Sequence, residues 1–223
     1  DVSHELRSPL ARIQAAIGLA GQDPAKMQES LERVERETVR LDELVGEVLT
    51  LARLESMTPG AMEDEIDMTG LLSGVVADAR FEAQAKGIAI EFKGDGNMLI
   101  RGRTELIYRA AENVIRNAVR FSPAAGVVAV EAHADDRRPV LCIEVQDQGP
   151  GVLPEELDAI FEPFSRGRNQ KMRENKGYGL GLAIACRAVA AHGGNIRAQN
   201  RSTGGLCVHI ELPGLIPPAG SAV

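Results

Sequence analysis

The chain has 223 residues, 44% of them hydrophobic, which suits one large globular domain or two modest ones. No apolar run approaches the roughly 20 residues that span a bilayer. A net charge of −7, from 32 acidic against 25 basic residues, argues against nonspecific nucleic-acid binding, which needs a basic surface.

Residues 1–22 read as an amphipathic helix, with Val2, Leu6, Pro9, Ile13, Ala16 and Ala20 recurring at steps of three and four and Ile17 widening the stripe. "GQDP" interrupts it: Gly21 can end a helix, and Asp23-Pro24 can cap and start the next. Residues 24–56 carry a longer stripe through Leu31, Val34, Thr38, Leu41, Val45, Val48 and Ala52, and their outer face holds charge pairs such as Glu32–Arg36. A hairpin of two such helices cannot bury both apolar stripes alone, whereas two hairpins packed as a dimeric four-helix bundle can.

"MTPGAMEDE" breaks the rhythm and reads as a linker. Beyond it, helices are expected over 69–86, over "TELIYRAAENVIRNAVRFS" and over "GLGLAIACRAVAAHGG". Strands are expected at "GIAIEFKG", "VVAVEAHA", "VLCIEVQD" and "LCVHIELP". This mixture predicts an α/β sandwich on a mostly antiparallel sheet. The expected division is 1–57 for the hairpin domain, 58–65 for the linker and 66–215 for the α/β domain. The tail 216–223 is expected to be disordered. The chain starts at Asp1 and enters a helical pattern at once, so it reads as part of a longer protein with room for a membrane segment upstream.

Several stretches carry chemistry. Asn113, Asn117 and Arg120 fall on one helical stripe, separate from an apolar stripe through Ile107, Ala111, Val114, Ala118 and Phe121. Amide oxygens are hard ligands suited to Mg²⁺, and a guanidinium suits phosphate. "DQGPG" follows a strand, placing the Asp147 carboxylate beside Gly149 and Gly151, where backbone can approach a ligand closely. "GYGLGL" (Gly177, Gly179, Leu180, Gly181) leads straight into a helix, whose free N–H groups favour phosphate, yet no G-K-[ST] follows and no βαβ setting surrounds it. Between these, Phe161 and Phe164 anchor the base of a polar loop that carries Arg166, Arg168, Lys171, Arg173 and Lys176, a composition suited to a lid over polyphosphate. Cys142, Cys186 and Cys207 lack metal-ligand spacing and sit in apolar contexts, which reads as buried free thiols. His133, His192 and His209 read as structural, with His192 near a helix C-terminus that favours a cation.

In this order the motifs resemble the sensor histidine kinases of two-component signalling, over roughly residues 1–213. "SHELRSPL" is similar to their phospho-acceptor box, "ENVIRNAVRFS" to the Asn box, and "DQGPG", "FEPF" and "GYGLGL" to the two glycine boxes and the phenylalanine box between them. The phrasing is most similar to the Cpx envelope-stress sensor group. The resemblance implies the ATP-binding fold shared with gyrase, Hsp90 and MutL, with ATP and Mg²⁺ bound. It implies that Asn117 holds Mg²⁺ with Asn113 in support, that Asp147 accepts from the adenine amine, and that Arg120 and Arg166 meet phosphates. Phe121, Phe161, Phe164, Leu180 and the glycines at 149, 151, 177, 179 and 181 would shape the pocket and its lid. It further implies that His4 is the phospho-acceptor, activated by Glu5, and that a response regulator is the partner. The implied location is the cytoplasmic part of a bacterial inner-membrane protein. Many relatives carry Thr or Asn where this chain has Ser8, a position that in the family aligns water for dephosphorylating the partner.

The position of His4 agrees. It lies about 200° around the helix from Val2, away from the apolar seam. Pro9 lacks an N–H and leaves the Glu5 carbonyl unpaired. A neutral imidazole nitrogen is available near pH 7, since the unperturbed pKa is about 6.5.

Overall fold

The computed structural model describes residues 2–56, 64–94, 98–135, 138–165 and 177–215. The side chains of His4 and Pro24 lie outside that description, as do most of the expected linker, the cationic loop 166–176 and the tail 216–223. The chain forms two compact units, Asp1–Arg53 and Leu54–Val223.

The first unit is a helical hairpin: α1 (Val2–Gln22), a 3-10 turn (Pro24–Lys26) and α2 (Met27–Glu55). Asp23 ends the interruption as anticipated, its Oδ1 accepting from the Ala25 amide at 3.0 Å. α1 continues through Pro9. One polar network joins the two helices. Arg12 Nε donates to Glu37 Oε2 at 2.9 Å, and Arg40 Nη1 donates to Glu37 Oε1, also at 2.9 Å. The Glu37 side chain is only 6% exposed, so two guanidinium partners offset the cost of burying its charge. Arg12 Nη1 also donates to Ser8 Oγ at 2.7 Å. Leu10, Ile17, Leu31, Val45 and Leu49 stay 41–59% exposed.

The second unit is a two-layer sandwich. Its main sheet has the order β2 (Ala89–Gly94), β4 (Val127–Ala134), β5 (Val140–Gln146), β7 (Leu206–Pro213), β6 (Asn195–Asn200). The β2–β4 pair is parallel and the other three pairs are antiparallel. Leu141, Ile143 and Val145 on β5 and Val208, Ile210 and Leu212 on β7 are buried in strict alternation. Three helices supply the second layer: α3 (Met68–Gln84), α4 (Thr104–Phe121) and α5 (Gly181–Ala191). α4 lies between the other two and buries Ile107, Ala111, Val114, Ile115 and Ala118. The expected sandwich and its mostly antiparallel sheet are what the chain adopts. Among the described residues no helix is long and apolar enough to cross a membrane.

Three strands escape the periodicity reading. β1 (Asp64–Asp67) has one apolar residue in four and overlaps the expected linker at Asp64 and Glu65. It pairs antiparallel with β3 (Leu99–Gly102), bringing buried Ile66 opposite buried Ile100. Asp67 then caps α3, with Oδ1 accepting from Thr69 N at 3.0 Å, so its acidity serves the helix start rather than a loop. β6 reads "NIRAQN" because it is an edge strand with solvent along one side.

Candidate nucleotide site

α4 presents the polar stripe expected of it. Asn113, Asn117 and Arg120 are half-buried while the opposite face sinks into the core. Among the described residues neither the Asn113 nor the Asn117 side chain has a hydrogen-bond partner. Two amides held at a half-buried surface without partners are available to a ligand. Arg120 lies over the Phe121 ring, 5.5 Å from its centroid.

β5 delivers Asp147 just past its last residue. This carboxylate is 4% exposed. Its Oδ1 accepts from Gly149 N at 2.7 Å and from Leu206 N at 3.1 Å, and Asp147 N donates to Leu206 O at 2.9 Å. Oδ2 has no partner among the described residues. Burial raises the Asp147 carboxyl above the usual carboxylate range, against the two backbone N–H groups and the Arg201 guanidinium, which pull it down. A buried acceptor with one oxygen fixed by backbone and the other unengaged suits a neutral N–H donor such as an exocyclic amine.

The glycine stretches meet these side chains at close range. A methyl on Gly149 would stand 2.8 Å from the Phe121 carbonyl oxygen and 2.9 Å from Asp147 Oδ1. One on Gly181 would stand 2.9 Å from Asn113 Oδ1, and one on Gly177 would overlap the Arg120 guanidinium. "DQGPG" and "GYGLGL", 26 residues apart, thus border the same α4 face. Gly179 has φ +73° and its carbonyl accepts from Phe164 N at 2.9 Å. Phe164 itself sits at φ +63°, a backbone state that costs a bulky residue strain and that collects at working sites. Phe161 ends a 3-10 turn (Ala159–Phe161) and is half-buried, and Leu180 is fully buried ahead of α5. Arg166 lies outside the described residues. In the helical unit, His4 and Glu5 occupy the first turns of α1 and Ser8 follows one turn later.

Two residues that support the site were not singled out from sequence. Asn200, at the end of β6, accepts from Val152 N at 2.9 Å and donates to Val152 O at 2.6 Å, clamping the loop that contains Gly151. Arg201 Nη1 donates to the Asp147 carbonyl at 2.6 Å. Neither belongs to a motif, and only the pairing of β6 with β7 brings them here. His192 also departs from expectation. It is buried, its Nδ1 lies 2.7 Å from Ala188 O, and its Nε2 accepts from Arg103 N at 3.0 Å. Burial lowers its pKa, so it is a neutral linker between α5 and α4 rather than a helix-end cation.

Comparison with known proteins covers both units. Residues 102–216 match the family described as histidine kinase-, DNA gyrase B- and HSP90-like ATPases, and residues 1–56 match the His kinase A (phospho-acceptor) domain. The sensor histidine kinase CpxA of Escherichia coli K12 is 36% identical over 215 residues, covering 96% of this chain and 46% of the relative. The chain therefore spans about half the length of the curated relatives it matches. Among solved structures, full-length ShkA in complex with AMPPNP aligns with TM-score 0.70 at 28% identity, covering 97% of this chain and 45% of that one. The histidine kinase ThkA in complex with the response regulator protein TrrA aligns with TM-score 0.74 at 20% identity, covering 96% and 60%, a likeness of fold.

Proposed function

Because the chain belongs to the sensor histidine kinases, we propose that it is an ATP-dependent protein-histidine kinase core that phosphorylates His4 and passes the phosphoryl group to an aspartate of a response regulator. The observation that carries this reading is the convergence of Asp147, the unpartnered amides of Asn113 and Asn117, and both glycine stretches on one face of α4. Asp147 Oδ2 accepts from the adenine amine. The backbone at Gly149 and Gly151 lets the base approach, and Gly177, Gly179, Leu180 and Gly181 bring α5's N-terminal N–H groups to the phosphates. Phe121, Phe161 and Phe164 wall the pocket, and Arg120 and Arg166 meet phosphate oxygens. Asn117, with help from Asn113, would hold Mg²⁺, which would supply charge neutralisation at the transferred group. The donor set fits that hard cation, since both amide oxygens are without protein partners.

At the acceptor, Glu5 accepts a hydrogen bond from the N–H of one His4 ring nitrogen and leaves the other nitrogen's lone pair to form the N–P bond as the β–γ bridging P–O bond breaks. The N–P bond then breaks as a receiver carboxylate oxygen takes the phosphoryl group. Ser8 aligns water for the reverse duty of dephosphorylating the regulator.

The half-exposed apolar residues Leu10, Ile17, Leu31, Val45 and Leu49 support a homodimer through the hairpin. The same reading makes the chain the cytoplasmic part of an inner-membrane sensor, with no nucleic-acid partner. The decisive test is incubation with Mg²⁺ and ATP labelled on the γ-phosphate. Acid-labile, base-stable label is expected in the intact chain and absent in His4→Gln. Label retained in that variant overturns the assignment.

A further inference from the structure

The face of the main sheet turned away from the helices carries a second cluster, unrelated to nucleotide. Cys207 and His209 are two apart on β7, so both side chains project from that face, and Glu144 on β5 is the direct cross-strand neighbour of His209. Cys207 Sγ lies 3.3 Å from His209 Nε2, and Glu144 Oε1 lies 3.2 Å from His209 Nδ1. One ligand atom from each residue falls within 4.8 Å of the others. Cys207 is 2% exposed, and the His209 side chain is 14% exposed.

We propose that Glu144, Cys207 and His209 form a site for a thiophilic transition-metal ion of the zinc class. The carboxylate assigns the ring proton to Nδ1, which leaves the Nε2 lone pair beside the sulfur. A metal-bound imidazole backed by a carboxylate on its other nitrogen is the usual arrangement of such sites. An ion about 2.3 Å from sulfur and about 2.1 Å from nitrogen spans the observed 3.3 Å with an angle of about 100° at the metal, close to tetrahedral. Thiolate and imidazole select zinc or cuprous ions over Mg²⁺, so the site does not compete for the kinase cation. Binding displaces the Cys207 S–H proton to solvent as the S–metal bond forms, and water completes the shell. The grouping was invisible as a spacing motif because the carboxylate that backs the imidazole comes from a different strand.

Both strands run directly to the Asp147 clamp. Glu144 is three residues before Asp147, and Cys207 adjoins Leu206, whose amide holds Asp147 Oδ1. An ion at the site fixes β5 to β7 next to the adenine acceptor.

The test uses the whole chain without nucleotide. Zn²⁺ is titrated against a chromogenic chelator, and Co²⁺ serves as an optical probe. The expected result is one Zn²⁺ per chain and a thiolate-to-cobalt charge-transfer band. The band is lost in Cys207→Ser and kept in Cys142→Ser. Zn²⁺ affinity is expected to fall at least tenfold in His209→Asn and about tenfold in Glu144→Gln. Should Cys207→Ser fail to fold, Glu144→Gln and His209→Asn decide. A band that survives Cys207→Ser, zinc affinity unchanged in the other two variants, or no zinc bound at micromolar concentration would each overturn the site.

Discussion

At the scale of single residues, Asp147 is the most exacting position. Its charge is buried at a cost, and its Oδ1 is already held by two backbone amides. Asp147→Asn keeps an oxygen for those amides and removes the buried charge. It is therefore expected to fold, with thermal stability within about 1 kcal/mol of the parent, while binding of an ATP analogue weakens at least tenfold. Calorimetry and fluorescence titration on the same sample separate the two effects. Gly177→Ala works differently: the new methyl displaces the flexible Arg120 guanidinium rather than backbone. Nucleotide affinity is expected to drop with little change in melting temperature. Ser8 has a hydroxyl acceptor already engaged by Arg12, which is itself tied to buried Glu37. That leaves Ser8 to donate in a fixed direction, a constraint that a β-branched threonine supplies through its own stiff χ1. Arg12→Ala is expected to slow dephosphorylation of the phosphorylated regulator, and Ser8→Thr in the same chain to restore it. If Ser8→Thr gives no recovery, the hydroxyl's direction is not what Arg12 contributes.

At the scale of elements, joints between helix and strand decide stability. His192 links the end of α5 to the start of α4 through its bond from Arg103 N. Its pKa is lowered in the folded chain and is about 6.5 unfolded, so the unfolded chain binds more protons between the two values. Stability is thus full above pH 6.5 and is lost as pH falls through the folded pKa. Denaturant melts at pH 7.5 and 5.5 are expected to differ in the parent and to differ less in His192→Gln. The same joints explain what the sequence made legible. Long helices and buried strands announce themselves because their apolar period repeats several times, as in α4 and β5. β1 repeats it too few times to register, and β6 has one side in water. The candidate site was legible as a group of residues because Asn113, Asn117, Asp147 and the glycines each sit in a local pattern. Asn200, Arg201 and the Glu144–Cys207–His209 cluster were not, because only strand pairing makes them neighbours.

At the scale of the molecule, the hairpin leaves Ile17 59% exposed and Leu31 55% exposed on a unit too thin to bury them. Ile17→Glu with Leu31→Glu is expected to convert a dimer into monomers in sedimentation, without loss of nucleotide binding by the second unit. The sandwich has its own large-scale constraint. β7, the last strand among the described residues, lies inside the sheet between β5 and β6, and its Leu206 closes the Asp147 clamp. A ribosome extrudes this strand after Asp147, the α4 amides and both glycine stretches. Until it slots in, β5 and β6 have no common neighbour and Asp147 lacks one of its two fixing amides. A nascent chain stalled before residue 206 therefore fixes Asp147 Oδ1 through the Gly149 amide alone, and the clamp is completed late and at one step.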